Sequence, residues 1–72
     1  MSKEHSFQKG LNQVPLGKIP EIKNDIMEAL KITSHPAWLR RLKGEVDPKT
    51  KEIQNIEAVF KRYGITKEIW GQ

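Results

Sequence analysis

Three of the chain's prolines stand where helices begin, and two of its glycines stand where helices end. Proline has no N–H to offer, and the first helical turn needs none. Glycine accepts the positive φ with which many helices close. Pro20 opens a stripe of Ile22, Ile26, Ala29 and Leu30, with Met27 beside it and Lys23, Asp25 and Glu28 on the outer side. This spacing predicts a helix over about residues 20–31. Thr33 and Ser34 are good capping residues before Pro36, so a second, short helix is expected over 35–43, closed by Gly44. Asp47 and Pro48 then open a third, over about 48–63, with Ile53, Ile56, Val59, Phe60 and Tyr63 on one face. Gly64 follows, placing Ile65 to reach back onto Phe60, and Thr66 is positioned to cap one last turn carrying Ile69 and Trp70.

The first nineteen residues are less decided. Phe7, Leu11 and Val14 have helical spacing behind Ser6, but Gly10 interrupts them and Val14-Pro15-Leu16-Gly17 forces a break. A short helix and an extended arm are equal expectations there. Residues 1–19 are therefore expected as arm or short helix, and 20–72 as the helical domain. No stretch alternates with strand period, so the expected class is all-α, a small helical bundle.

Composition narrows what such a bundle can do. Of 72 residues 36% are hydrophobic, enough for one small core and too few to enclose a roomy substrate cavity. There is no cysteine, hence no disulfide, no thiolate nucleophile and no cysteine-based metal site. His5 and His35 lie far apart in sequence without an acidic cluster, and no nucleophile-elbow, phosphate-loop or zinc-helix pattern is present. The expectation is a non-enzymatic protein with no cofactor, no metal and no small-molecule substrate. No apolar run is long enough to span a bilayer, and Met1–His5 does not lead into one of signal-peptide length, so a cytoplasmic location is expected.

The stretch from Asp25 to Pro48 carries the functional signal. A helix, a short turn and a second short helix follow one another within a few residues, as in a helix-turn-helix. At about 100° per residue Trp38, Leu39 and Leu42 form one stripe, expected to be core, and Arg40 points directly away from it. Thr33, Ser34, His35 and Ala37 are short or polar residues at the front of this helix, able to approach base edges. Lys31, Arg41 and Lys43 are cations suited to phosphates. Between Glu28 and Glu45 there is no acidic residue. Lys31, Arg40, Arg41 and Lys43 there carry +4, which equals the net charge of the whole chain. The remaining charges cancel.

These residues resemble a known family. Ile26-Met27-Glu28-Ala29-Leu30-Lys31-Ile32-Thr33-Ser34, then Trp38-Leu39-Arg40-Arg41-Leu42-Lys43-Gly44, then Pro48, is similar to the phage-repressor helix-turn-helix of the Cro and lambda-repressor type, over roughly residues 26–65. That family often has a small residue where Met27 stands, glycine where Lys31 stands and an aliphatic where Arg41 stands. The resemblance implies a compact helical bundle that docks its second helix of the motif into the major groove of double-stranded DNA, often as a homodimer, in transcriptional control. The alternative from another class is a small protein-interaction module, an adaptor or inhibitor that binds no DNA.

Overall fold

A computed structural model of the chain describes residues 5–71. Four α-helices follow in order: α1 (Gln8–Leu11), α2 (Ile19–Leu30), α3 (His35–Lys43) and α4 (Thr50–Arg62), with a 3-10 turn at Leu16–Lys18 leading into α2. Among the described residues there is no strand, and the chain is an all-α bundle as expected. Its core consists of Phe7, Leu11 and Val14 from the amino-terminal segment, Ile22, Ile26 and Leu30 from α2, Trp38 from α3, Ile56, Val59 and Phe60 from α4, and Ile65 and Ile69 from the tail.

α2, α3 and α4 end in the same way. In each, an amide just past the last helical residue turns back across the helix end to the carbonyl five residues before it. The bonds are Ile32 N–H to Met27 O (2.9 Å), Glu45 N–H to Arg40 O (2.9 Å) and Ile65 N–H to Phe60 O (3.0 Å). This is the Schellman arrangement, and it needs one left-handed residue at its hinge. In α3 and α4 that residue is Gly44 (φ +79°) and Gly64 (φ +80°); in α2 it is Lys31, at φ +58° and ψ +41°. A side chain in this region crowds its own backbone and costs about 1–2 kcal/mol. Lys31 thus occupies a glycine conformation without being glycine.

The amino-terminal segment settles as a short helix, not an arm. Phe7 is 1% exposed and lies between aromatic rings: Trp38 at 5.5 Å, Phe60 at 6.2 Å and Trp70 at 6.3 Å between centroids. Residues 5–19 therefore share one core with the rest of the chain; residues 1–4 of the expected arm lie outside the described residues. Helix α1 is a single turn, and within it Gly10 is pressed against the core, where a Cβ would stand 3.0 Å from the Phe60 ring. Ser6, fully buried, donates its hydroxyl to the Leu42 carbonyl (2.7 Å), and Phe7 N–H donates to the same oxygen (3.2 Å). One of the open carbonyls at the end of α3 is thereby satisfied.

Two sequence expectations are corrected. Helix α4 starts at Thr50, not at Pro48, because the Glu52 carboxylate accepts the Lys49 N–H (2.9 Å) and makes Lys49 the residue that caps it. The turn expected after Thr66 does not form. The tail carbonyls it would have used accept bonds from the amino-terminal segment: Gly10 N–H to Ile69 O (2.9 Å), Lys9 N–H to Gly71 O (3.0 Å), and the Gln13 amide to Lys67 O (2.9 Å). Ile69 is buried all the same, and the Trp70 indole N–H donates to Glu57 (2.8 Å).

Tyr63, at the end of α4, donates its hydroxyl to Asp25 of α2 at 2.6 Å. This bond, with burial and the Asp25 charge, pushes the phenol from 10.0 up to about 12. A value raised on folding means that the contribution to stability is whole below pH 10 and is lost as pH rises towards 12. The denaturant midpoint should fall between about pH 9 and about pH 11.5, and Tyr63→Phe should flatten that fall. At the carboxyl end of α2, Lys31→Gly should raise stability by about 0.5–1 kcal/mol, the relief of strain less the extra freedom of the unfolded glycine, read from the urea midpoint.

Candidate nucleic-acid interface

Helix α3 begins where Ser34, in extended conformation, accepts the Ala37 N–H on its hydroxyl (3.3 Å). Nine residues give it a length of about 13 Å, close to the width of a major groove. Its inward face is set by Trp38, 4% exposed, flanked by half-buried Leu39 and Leu42. Fixing this stripe fixes the opposite face as well. Arg40 and Lys43 are exposed, as are His35 and Pro36 at the front, and Ala37 is half-buried between them. Thr33, Ser34 and Lys31 are exposed on the turn that precedes the helix.

Arg41 departs from the set of phosphate-contacting cations that the sequence suggested. Its guanidinium turns towards α4 and forms a two-pronged pair with Glu52, Nη1 to Oε1 and Nη2 to Oε2, both at 3.2 Å. The pair is half-buried, with side chains 16% and 24% exposed. Glu52 is held well inside the carboxylate range by two partners, first the Lys49 N–H and then Arg41, which together lower its pKa. Arg41 therefore acts as a strut between the end of α3 and the start of α4. An aliphatic residue in this place would bury apolar surface instead.

The cations left on this side are Lys31, Arg40 and Lys43, joined by Lys23 of α2. Among the described residues none of the four has a carboxylate within ion-pair distance. Lys23 was placed by its spacing on the outer side of α2; the structure finds it half-buried at the α2–α3 junction. Its ammonium is 3.3 Å from His35 Nδ1 and 5.9 Å from the centre of the Trp38 ring. No local sequence rule links residues twelve apart across a turn, so this neighbourhood was not legible. Elsewhere Lys9 lies 3.9 Å from Glu68 and Lys18 lies 3.5 Å from Glu21, while Lys51, Lys61, Arg62 and Lys67 likewise have no carboxylate at ion-pair distance among the described residues.

The arrangement thus offers one short helix with unpaired cations at its outer face, small polar groups at its start and no acid between. Such a ridge attracts a polyanion and can place side chains against its edges. No protein-family model, curated protein sequence or solved structure matches the chain.

The two neighbouring arginines should behave oppositely. Arg41→Ala should lower stability by about 1–2 kcal/mol, since it strands a half-buried carboxylate, whereas Arg40→Ala should change it by less than about 0.5 kcal/mol. Chemical denaturation of the two single variants checks this.

Proposed function

We propose that the chain is a sequence-specific, non-enzymatic DNA-binding protein, a transcriptional regulator of phage or mobile-element type, which inserts α3 into the major groove of double-stranded DNA. The observation that carries this proposal is the exposure of Arg40 and Lys43 on a helix whose rotation is fixed by buried Trp38, with no acidic partner for either cation among the described residues. Arg40, nearest the middle of the outer face, serves as the base or phosphate contact; Thr33, Ser34, His35 and Ala37 form the leading edge; Lys31 and Lys43 lie on phosphates.

Duplex DNA fits better than a single strand. Single-strand binders stack bases on exposed aromatic rings. Here Phe7, Trp38 and Phe60 are buried, and Trp70 and Tyr63 are each tied to a carboxylate. An adaptor role has less support, because the large apolar residues left exposed, Leu16 and Val46, belong to different connections. The molecule measures 29 × 25 × 21 Å, less than the roughly 34 Å between successive half-sites, so one copy covers one half-site and a homodimer suits a two-part site. No helix among the described residues is long and apolar enough to cross a membrane.

Fluorescence anisotropy with labelled duplex DNA across a salt series tests the proposal. The Arg40→Ala, Lys43→Ala double variant should keep its helical circular dichroism, bind at least tenfold more weakly, and show a log–log salt slope smaller by about one if Arg40 meets a base and about two if it meets a phosphate. Unchanged affinity and slope in that variant would remove α3 from the interface.

A further inference from the structure

We propose that Lys23 is a positioning residue that locks His35 in the neutral Nε2–H tautomer, so that the front of α3 presents one fixed hydrogen-bond donor that selects guanine in the groove. The inference rests on the reading of α3 as the groove-entering helix and specifies one base contact within it.

The chemistry follows from the inventory of donors. The Lys23 ammonium, 3.3 Å from His35 Nδ1, has three hydrogens to donate and no lone pair to accept one. The contact is a hydrogen bond only if Nδ1 carries no proton. The single ring hydrogen of the neutral imidazole then sits on Nε2, at the opposite edge of the ring. A second contact favours this position of Lys23: its ammonium also lies over the face of Trp38, 5.9 Å from the ring centre, and Trp38 is itself fixed in the core. Three residues from two helices thus determine which edge of one exposed ring carries a hydrogen.

His35 is the first residue of α3, exposed, directly after the capping Ser34. A lone donor at this place seeks an acceptor on the floor or wall of the groove. In the major groove guanine offers two adjacent acceptors, N7 and O6. Adenine sets a donor beside its N7, and cytosine presents a donor. A fixed N–H placed on a purine N7 therefore favours guanine, whose neighbouring O6 also accepts, over adenine, whose neighbouring amino group donates; thymine, with O4 alone, and cytosine offer no N7. A phosphate oxygen is an acceptor of the same kind, and the base and backbone alternatives are separated below by removing N7 alone.

The test has two independent readouts. Nitrogen-15 chemical shifts of the His35 ring in the free protein should show the Nε2–H tautomer in the wild type and in Lys23→Arg, which keeps a donor-only group. Lys23→Met should show a mixture of tautomers. Selection of binding sites from random duplexes should yield, for wild type and Lys23→Arg, a site with one guanine that Lys23→Met no longer prefers, at a loss of roughly threefold to tenfold. Replacing that guanine with 7-deazaguanine should cost the wild type a similar factor and Lys23→Met nothing. A Nδ1–H or mixed tautomer in the wild type overturns the lock. An unchanged guanine preference in Lys23→Met, or indifference of the wild type to 7-deazaguanine, overturns the base contact while leaving groove binding by α3 in place. A wild type that enriches no sequence overturns both the contact and the reading on which it rests.

Discussion

The burial of Trp38 against Phe7 decides how α3 is turned, and everything on its outer face depends on that turn. A helix rotated by one residue would bring Arg41 outward and Arg40 towards a flank, since successive residues are about 100° apart. The two rings, 5.5 Å apart and tilted, come from segments more than thirty residues distant in sequence. The same amino-terminal segment closes the far end of α3 through Ser6 and the Phe7 amide, both bonded to the Leu42 carbonyl. Gly44 permits this approach: a Cβ there would stand 2.6 Å from the Ser6 nitrogen, and its φ of +79° suits no other residue well. The amino-terminal segment thus packs under and behind α3 and leaves Arg40 and Lys43 in solvent.

Charge is divided along the same lines. On α4 and the tail, lysines alternate with glutamates, and those glutamates have structural partners: Glu52 with Arg41 and Lys49, Glu57 with Trp70, Glu68 with Lys9. Exposed pairs of this sort contribute little energy each. Around α3, Lys31, Arg40 and Lys43 have no ion-pair partner among the described residues, and no acidic residue lies between Glu28 and Glu45 in sequence to offset them. Lys31 belongs to this group. It holds a left-handed backbone that glycine would hold without strain, and a cation at this turn is what glycine would forfeit.

Most of the helical framework was legible because its signals are local. Capping residues, prolines in first turns and glycines past last turns act within a few positions, so α2, α3 and the end of α4 were readable to within about two residues, as was the stripe of Trp38, Leu39 and Leu42. The features that escaped are those made between distant segments. The tail after Thr66 has the composition of a helical turn, yet its carbonyls accept amides from residues near position 10. Arg41 has the spacing of an outward cation, yet Glu52 holds it from the next helix. The left-handed state of Lys31 left no trace because the residue that announces it, glycine, is absent. Exposure of Arg40 and Lys43 followed from the wheel; the exposure of His35 at its junction with Lys23 and Trp38 did not.

The central claim is that the outer face of α3 is the surface that meets DNA. Amide chemical-shift mapping by NMR, with the protein titrated by a short random-sequence duplex at low salt, addresses it most directly. The account predicts that shifts concentrate on residues 31–43 with Lys23, and that α4 is spared. Shifts centred on Lys51 and Lys61 of α4, or no shifts at saturating duplex, would contradict it.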